Sequence, residues 1–371
     1  MPQARPALPM NDLGLQERGA LATPVIVWLA VVGAMVLAMI VVGGATRLTD
    51  SGLSITEWQP ILGAIPPLDA AQWQEAFDKY RQIPEYALVN KGMSLEEFKV
   101  IYWWEWAHRF LGRVIGLAFA VPLAVFWISG RVRGALALKL LGILALGGLQ
   151  GFFGWYMVQS GLSERVDVSH YRLALHLTTA FIILGAIVWV ALDLVESAPR
   201  IRLRTVTPGQ RWVAIGIVGL LVVQVVVGGF VAGLKAGLVY PTWPLMGDRL
   251  VPPDVLGMNP WAVNFVENPV TVQFVHRLMA YVLVVIGVWH AVSIWRTADD
   301  ERVVTSAMAL AAAFLAQSGL GIVTLMSVPS AGAIPIGLGL VHQGGGAVVF
   351  AVAVWHMHGM LAQSPVSRAR A

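Results

Sequence analysis

The chain has 371 residues, of which 57% are hydrophobic and only 12% charged. Roughly 25% charge is usual for a water-soluble domain, so the composition argues against water as the solvent of most of this surface. The formal charge of +4 does not signal nucleic acid: the arginines sit in short connections between apolar runs, and no basic face with interleaved aromatics exists. Cysteine is absent, which removes disulfides, iron–sulfur ligation, thiol nucleophiles and covalent attachment of a haem through C-x-x-C-H.

A polar segment runs to about Thr23, and an apolar run follows to about Ala45. The run is too long for a signal-peptide core and no small-residue cleavage site follows it, so it reads as a retained span. Further apolar runs fall near 101–128, 137–158, 172–194, 212–232, 272–295, 304–327 and 337–360. Each has about the 20 residues that a bilayer core demands. The expected fold is therefore all-α, with eight transmembrane helices. Many of the 15 tryptophans flank these runs as interfacial anchors do. The connections after the second, fourth and sixth spans are short and basic, with Arg131, Arg133 and Lys139, then Arg200, Arg202, Arg204 and Arg211, then Arg296 and Arg302. Arg368 and Arg370 close the chain. The positive-inside rule places both termini in the cytoplasm. The longer connections, near 46–100 and 233–271, are then external, and their Pro, Gly and Trp content reads as packed caps.

The halves repeat. Val41-Val42-Gly43-Gly44, Gly52-Leu53, Trp58 and Pro66-Pro67 are matched by Val226-Val227-Gly228-Gly229, Gly237-Leu238, Trp243 and Pro252-Pro253. Spans two and six carry His108-Arg109 and His276-Arg277; spans three and seven carry Gln150-Gly151 and Gln317-Ser318-Gly319; spans four and eight carry His176 and His342. Four spans return the chain to its starting side, so the expected architecture is two pseudo-symmetric four-helix bundles of like orientation. The bundles occupy 24–195 and 212–361, with a cytoplasmic tail 1–23, a linker 196–211 and a tail 362–371.

Of eight histidines, His108, His176, His276 and His342 lie a few residues inside the outer end of an even-numbered span. All even-numbered spans run inward, so these four share a depth. Two in each half can face one another, which is what bis-imidazole ligation of a haem iron requires, and ionisable groups at membrane depth are functional candidates by default. His170 falls in an outer loop, and His290, His356 and His358 fall at cytoplasmic helix ends where interfacial solvation suffices. Gly112, Gly345 and Gly346 lie one turn beyond a ligand histidine and leave room for a flat macrocycle, though small residues also serve helix packing. Arg109 and Arg277 are candidates for haem propionates or for snorkelling to the interface.

The halves differ three residues before the first histidine of each pair, where Glu105 stands in one and Gln273 in the other. A carboxylate at membrane depth costs about 2.5–3.5 kcal/mol on insertion scales. Its retention points to proton chemistry in the N-terminal half, with an ion pair to Arg109 as the plainer alternative.

Gly43-Gly44-Ala45-Thr46-Arg47-Leu48-Thr49, Ser51-Gly52-Leu53-Ser54, Glu57-Trp58 and Glu105-x-x-His108-Arg109-x-x-Gly112 together resemble haem A synthase. So do Gln150-Gly151-x-x-Gly154-Trp155-x-Met157, Tyr171-Arg172-Leu173-Ala174-x-His176-Leu177 and Val275-His276-Arg277. The resemblance covers nearly the whole chain and is with the cysteine-free bacterial and mitochondrial branch. It implies oxidation of the C8 methyl of haem O to a formyl group, by two hydroxylations and loss of water. It implies a haem b on His276 and His342, haem O on His108 and His176, and Glu105 as the acid–base residue. A haem O synthase as partner, an electron donor that it does not identify, and residence in the cell inner (plasma) membrane complete what it implies. Two rivals stand beside it: a di-haem cytochrome b that only carries electrons, and a transporter, whose broken midplane helices this pattern lacks.

Overall fold

The computed structural model describes residues 10–59, 62–162, 166–195, 206–328 and 333–361, with side chains from residue 22 onward. The helices are α1 (Met10–Leu48), α2 (Ala70–Tyr80), α3 (Pro84–Leu88), α4 (Leu95–Ile128), α5 (Gly134–Gln159), α6 (His170–Val195), α7 (Pro208–Gly233), α8 (Asn264–Glu267), α9 (Pro269–Thr297), α10 (Glu301–Met326) and α11 (Ile336–Leu361). No strand occurs among the described residues. Eight of the helices are long and apolar enough to cross a membrane, and this is a multi-pass membrane protein. A hydrocarbon solvent leaves helices as the open-chain solution, because every backbone N–H and C=O must be satisfied within the segment.

Most helices outrun the apolar runs that announce them, because their caps lie in polar sequence. Ser94 caps α4 by accepting from the Glu97 amide at 3.3 Å while the Glu97 carboxylate accepts from the Ser94 amide at 2.8 Å. Thr207 and Gln210 do the same for α7, with Pro208 at the first turn. Asn268 caps α9 ahead of Pro269, and Asp300 caps α10. α1 begins at Met10, upstream of its apolar segment. The arginines at 200, 202, 204, 368 and 370, like residues 1–9 and the rest of 196–205 and 362–371, lie outside the described residues.

α1, α6, α7 and α11 form the centre. α1 packs on α4, α6 and α11; α6 on α5, α7 and α11; α7 on α9 and α11; and α10 closes between α9 and α11. Leu29, Val32, Leu184, Ile187, Ile217, Phe350 and Val354 fill this centre. Small residues let the backbones approach: a β-carbon on Gly229 would stand 2.7 Å from the Ala174 Cα, so α6 and α7 meet main chain to main chain there. The outward faces of α4, α5 and α9 stay apolar and exposed, as at Leu117, Val121, Leu138, Val285 and Trp289, which is correct for side chains solvated by lipid.

The long connection before α4 is packed: Leu53, Phe77, Tyr80, Ile83, Phe98, Ile101, Tyr102 and Val168 make a core of their own. The matching connection before α9 is held by amides. Asn264 donates to the Met258 and Trp261 carbonyls at 2.8 Å each, and Asn268 donates to the Asp254 carbonyl at 2.9 Å.

Four histidines depart from the sequence-based expectation. His170 opens α6 rather than lying in a loop, and it is buried against Phe230, with Glu267 3.7 Å from its Nε2. His290, His356 and His358 are 1%, 1% and 4% exposed, so interfacial solvation does not serve them. His290 Nε2 and His356 Nε2 lie 2.9 Å apart, the Ser306 hydroxyl is 2.9 Å from His356 Nδ1, and His358 Nε2 is 2.9 Å from Asp193. Alanines at 214, 291, 307 and 311 draw α7, α9 and α10 together at this end. The imidazoles must then find partners inside the protein, since a buried polar group without one is costly.

Candidate functional site

The four histidines on α4, α6, α9 and α11 meet in the pairs that the repeat predicts. The His108 and His176 ring centres are 6.4 Å apart with planes at 66°, and those of His276 and His342 are 6.5 Å apart at 74°. These rings are too far apart to hydrogen-bond to one another. A metal–imidazole bond of about 2.0–2.1 Å, with the nitrogen about 1.1 Å from its ring centre, would set two rings on opposite sides of one ion roughly 6.3 Å apart. Both pairs meet that spacing. All four residues are half-buried, whereas the structural histidines 170, 290, 356 and 358 are closed off. His176 Nδ1 and His276 Nδ1 are buried without a hydrogen-bond partner. Imidazoles spaced for a shared iron, with one ring nitrogen in each pair left without a partner, fit a haem.

Each ring rests on a glycine of the preceding membrane helix. A β-carbon on Gly43 would lie 3.1 Å from His108 Nε2, and one on Gly154 would lie 3.1 Å from His176 Cε1. One on Gly228 would lie 3.3 Å from His276 Cε1, and one on Gly321 would lie 2.9 Å from His342 Cε1. The repeated Gly43 and Gly228 were visible in the sequence, but their use as ring seats was not, because nothing in a sequence says which helices face each other. Of the two uses open to the glycines one turn beyond His108 and His342, packing against neighbouring side chains is the one seen. Gly112 lies against the Met39 methyl, and Gly345 and Gly346 lie under the Gln317 amide.

The groups around the pairs bind the outer connections. Glu105 is 2% exposed. Its Oε2 accepts from the Ser54 hydroxyl and the Ile55 amide, each at 2.7 Å, and its Oε1 pairs with Arg109. Arg109 donates to the Ile55 carbonyl at 2.8 Å and the Glu57 carbonyl at 2.9 Å. In the other half Gln273 donates to the Tyr240 carbonyl at 3.0 Å, and Arg277 donates to those of Thr242 and Pro244 at 3.1 and 3.0 Å. Arg109 and Arg277 thus do the same work at matched positions, whereas the group three residues before each of their histidines changes from carboxylate to amide.

Comparison with known proteins bears on what these pairs serve. Residues 26–354 match the family described as COX15-CtaA, cytochrome oxidase assembly protein. The chain is 52% identical over 331 residues to a protein of Parvibaculum lavamentivorans named Heme A synthase, covering 89% of this chain and 92% of that one. It is 52% identical over 353 residues to one of Rhodospirillum centenum bearing the same name, covering 93% and 90%. A third, from Brucella anthropi and also named Heme A synthase, is 50% identical over 329 residues, covering 89% and 90%.

Proposed function

Since this chain belongs to the haem A synthase family, we propose that it converts haem O into haem A, with haem O on His108 and His176 and a resident haem b on His276 and His342. What supports this reading above all is the pairing of like with unlike: two imidazole pairs at 6.4 and 6.5 Å, only one of which has a carboxylate, Glu105, one turn away. We read 24–195 and 212–361 as two four-helix bundles of like orientation, in the cell inner membrane with both termini cytoplasmic.

The substrate's C8 methyl would become a formyl group by two hydroxylations, each consuming one two-electron oxidant that comes from outside this chain together with the inserted oxygen atom, and the resulting diol would lose water. Haem b, when bound, supplies one-electron transfer from a donor still to be identified. The protein's own part is positioning and proton handling. His108 and His176 fix the plane of the substrate, and their glycine seats fix the imidazoles. Arg109 and Arg277 hold the outer connections over the two pairs and offer their remaining N–H groups to propionates. Glu105 takes or returns protons beside the substrate pair. Its bonds to Ser54, Ile55 and Arg109 favour a second duty as anchor of the first outer connection. Haem O is apolar enough that a haem O synthase is the natural donor partner.

The test is extraction and chromatography of haems from the purified protein and from cells lacking it. Haem O or haem A beside protohaem, and cells without haem A when the gene is deleted, are the expected results. Protohaem alone, with haem A still made in the deletion, would leave only an electron-carrying cytochrome.

A further inference from the structure

One local device recurs in the membrane helices and is incomplete in one place. A glutamine stands four residues before three of the ring-seating glycines: Gln150 before Gly154, Gln224 before Gly228 and Gln317 before Gly321. Four residues is about one helical turn, so amide and glycine share a face. Each amide donates to the main-chain carbonyl of the histidine it serves, at 3.0 Å for His176, 3.1 Å for His276 and 2.8 Å for His342. Each also approaches a ring nitrogen, at 3.3, 3.5 and 3.2 Å respectively. The helix turn bearing the histidine is thereby tied to its neighbour.

In α1 the corresponding residue is Met39, four before Gly43. It fills the same volume. Its methyl lies 3.6 Å from where a β-carbon on Gly112 would stand, as the Gln317 amide nitrogen lies 3.5 Å from that of Gly346. Gly112 and Gly346 each follow their histidine by four residues. A thioether has no N–H to donate. Among the described residues His108 is therefore the one pair-forming histidine whose turn lacks the amide tie.

We propose that Met39 makes His108 the releasing ligand of the N-terminal pair, an inference that rests on reading that pair as the substrate site. A substrate haem must gain and lose its axial bonds in every turnover, while a resident haem need never do so. Release breaks one dative bond, whose electron pair stays on the His108 nitrogen, so no oxidant or reductant is consumed. Gln224, the repeat counterpart of Met39, holds His276 against the same motion. Outer groups that fix a metal-ligating histidine typically change metal affinity by about 10–100-fold, enough to separate a site that exchanges from one that retains.

The experiment mixes purified holoprotein with excess apomyoglobin as haem acceptor and follows transfer by absorbance. Wild-type protein is expected to release haem in a fast and a slow phase, and His108→Ala to abolish the fast one. Met39→Gln should slow the fast phase roughly 10-fold and leave the slow phase alone. Met39→Leu, equally without a donor, should keep the fast phase fast, and Gln224→Met should speed the slow phase. An unchanged fast phase in a Met39→Gln protein with a normal haem b spectrum overturns the role of Met39. Should Met39→Gln misassemble, an unchanged slow phase in Gln224→Met overturns it instead. A fast phase that survives His108→Ala places the exchanging haem elsewhere, and then the substrate-site reading itself falls.

Discussion

The two halves of this protein space and seat their histidine rings alike but fasten their outer connections differently. Ring spacing, glycine seats and loop-gripping arginines recur at matched positions. The N-terminal connection, however, is fastened by carboxylates: Glu105 binds Ser54 and Ile55, and Glu85 is buried with Tyr80. The C-terminal one is fastened by neutral amides, Gln273, Asn264 and Asn268. A repeated frame thus sets where two imidazole pairs sit, while a few substitutions decide which half carries titratable groups beside them. Carboxylates titrate and carry charge; amides give the same hydrogen bonds without either.

The most severe way to break the comparison is to remove an axial imidazole from the C-terminal pair. His276→Ala or His342→Ala is expected to abolish or greatly weaken the low-spin b-type absorption of the purified protein, and haem A formation with it. Retention of an unchanged haem b spectrum in both variants would remove haem b from that pair.

Next in size is the exchange of carboxylate for amide. Glu105→Gln makes the N-terminal half imitate its partner at Gln273, nearly without change of shape. General acid–base help is typically worth about 10²–10⁴-fold, so haem A in cell extracts should fall by that order while haem b stays in place. Near-normal haem A in a well-expressed variant would leave Glu105 only its anchoring of Ser54 and Ile55.

The glycine seats give a graded test within one pair. A β-carbon on Gly321 would stand 2.9 Å from His342, and one on Gly228 would stand 3.3 Å from His276. Gly321→Ala is therefore expected to weaken axial ligation more than Gly228→Ala, roughly 10-fold at most, as read by haem retention and the sharpness of the b-type bands. Equal effects would mean the rings move freely off their seats.

The smallest effect separates the two caps by pH. Burial pushes the Glu85 carboxyl up to about 8 from an ordinary value near 4.5, with Asp50, Asp167 and Glu105 adding to it against the Tyr80 hydrogen bond. The folded form therefore binds a proton that the unfolded form gives up, and stability falls as pH rises through the window from about 4.5 to 8. Limited proteolysis of the N-terminal cap should accelerate between pH 6 and pH 9, and Glu85→Gln should flatten that rise. The C-terminal cap, built on amides, should show no such trend. An unaltered pH profile in Glu85→Gln would assign the sensitivity to another group.

Much of this was legible because membrane helices advertise themselves. The eight spans came from apolar length alone, since hydrocarbon forbids an unsatisfied backbone and leaves few other structures. The four pair-forming histidines came from repetition at constant depth, which a helix of fixed rise converts directly into height. Less legible were the boundaries: Leu95 to Lys99 extend α4 beyond its apolar run because Ser94 and Glu97 cap it in polar sequence. His290, His356 and His358 misled because depth along a helix says nothing about which face it turns toward its neighbours.

By itself, then, the sequence determined the number of spans, the internal repeat, the histidine pairs and the single carboxylate that distinguishes them. Each is a property of one helix at a time or of a comparison between two stretches of chain. Only the tertiary structure decided that Gly43, Gly154, Gly228 and Gly321 seat the rings, that three glutamines tie down three of the histidines, and that Met39 leaves the fourth untied. Those facts depend on the rotation of each helix about its axis and on the distance to the next. Rotation and distance are set by packing of small against large side chains across the bundle, as where Gly229 meets Ala174, and not by the residues of any one helix.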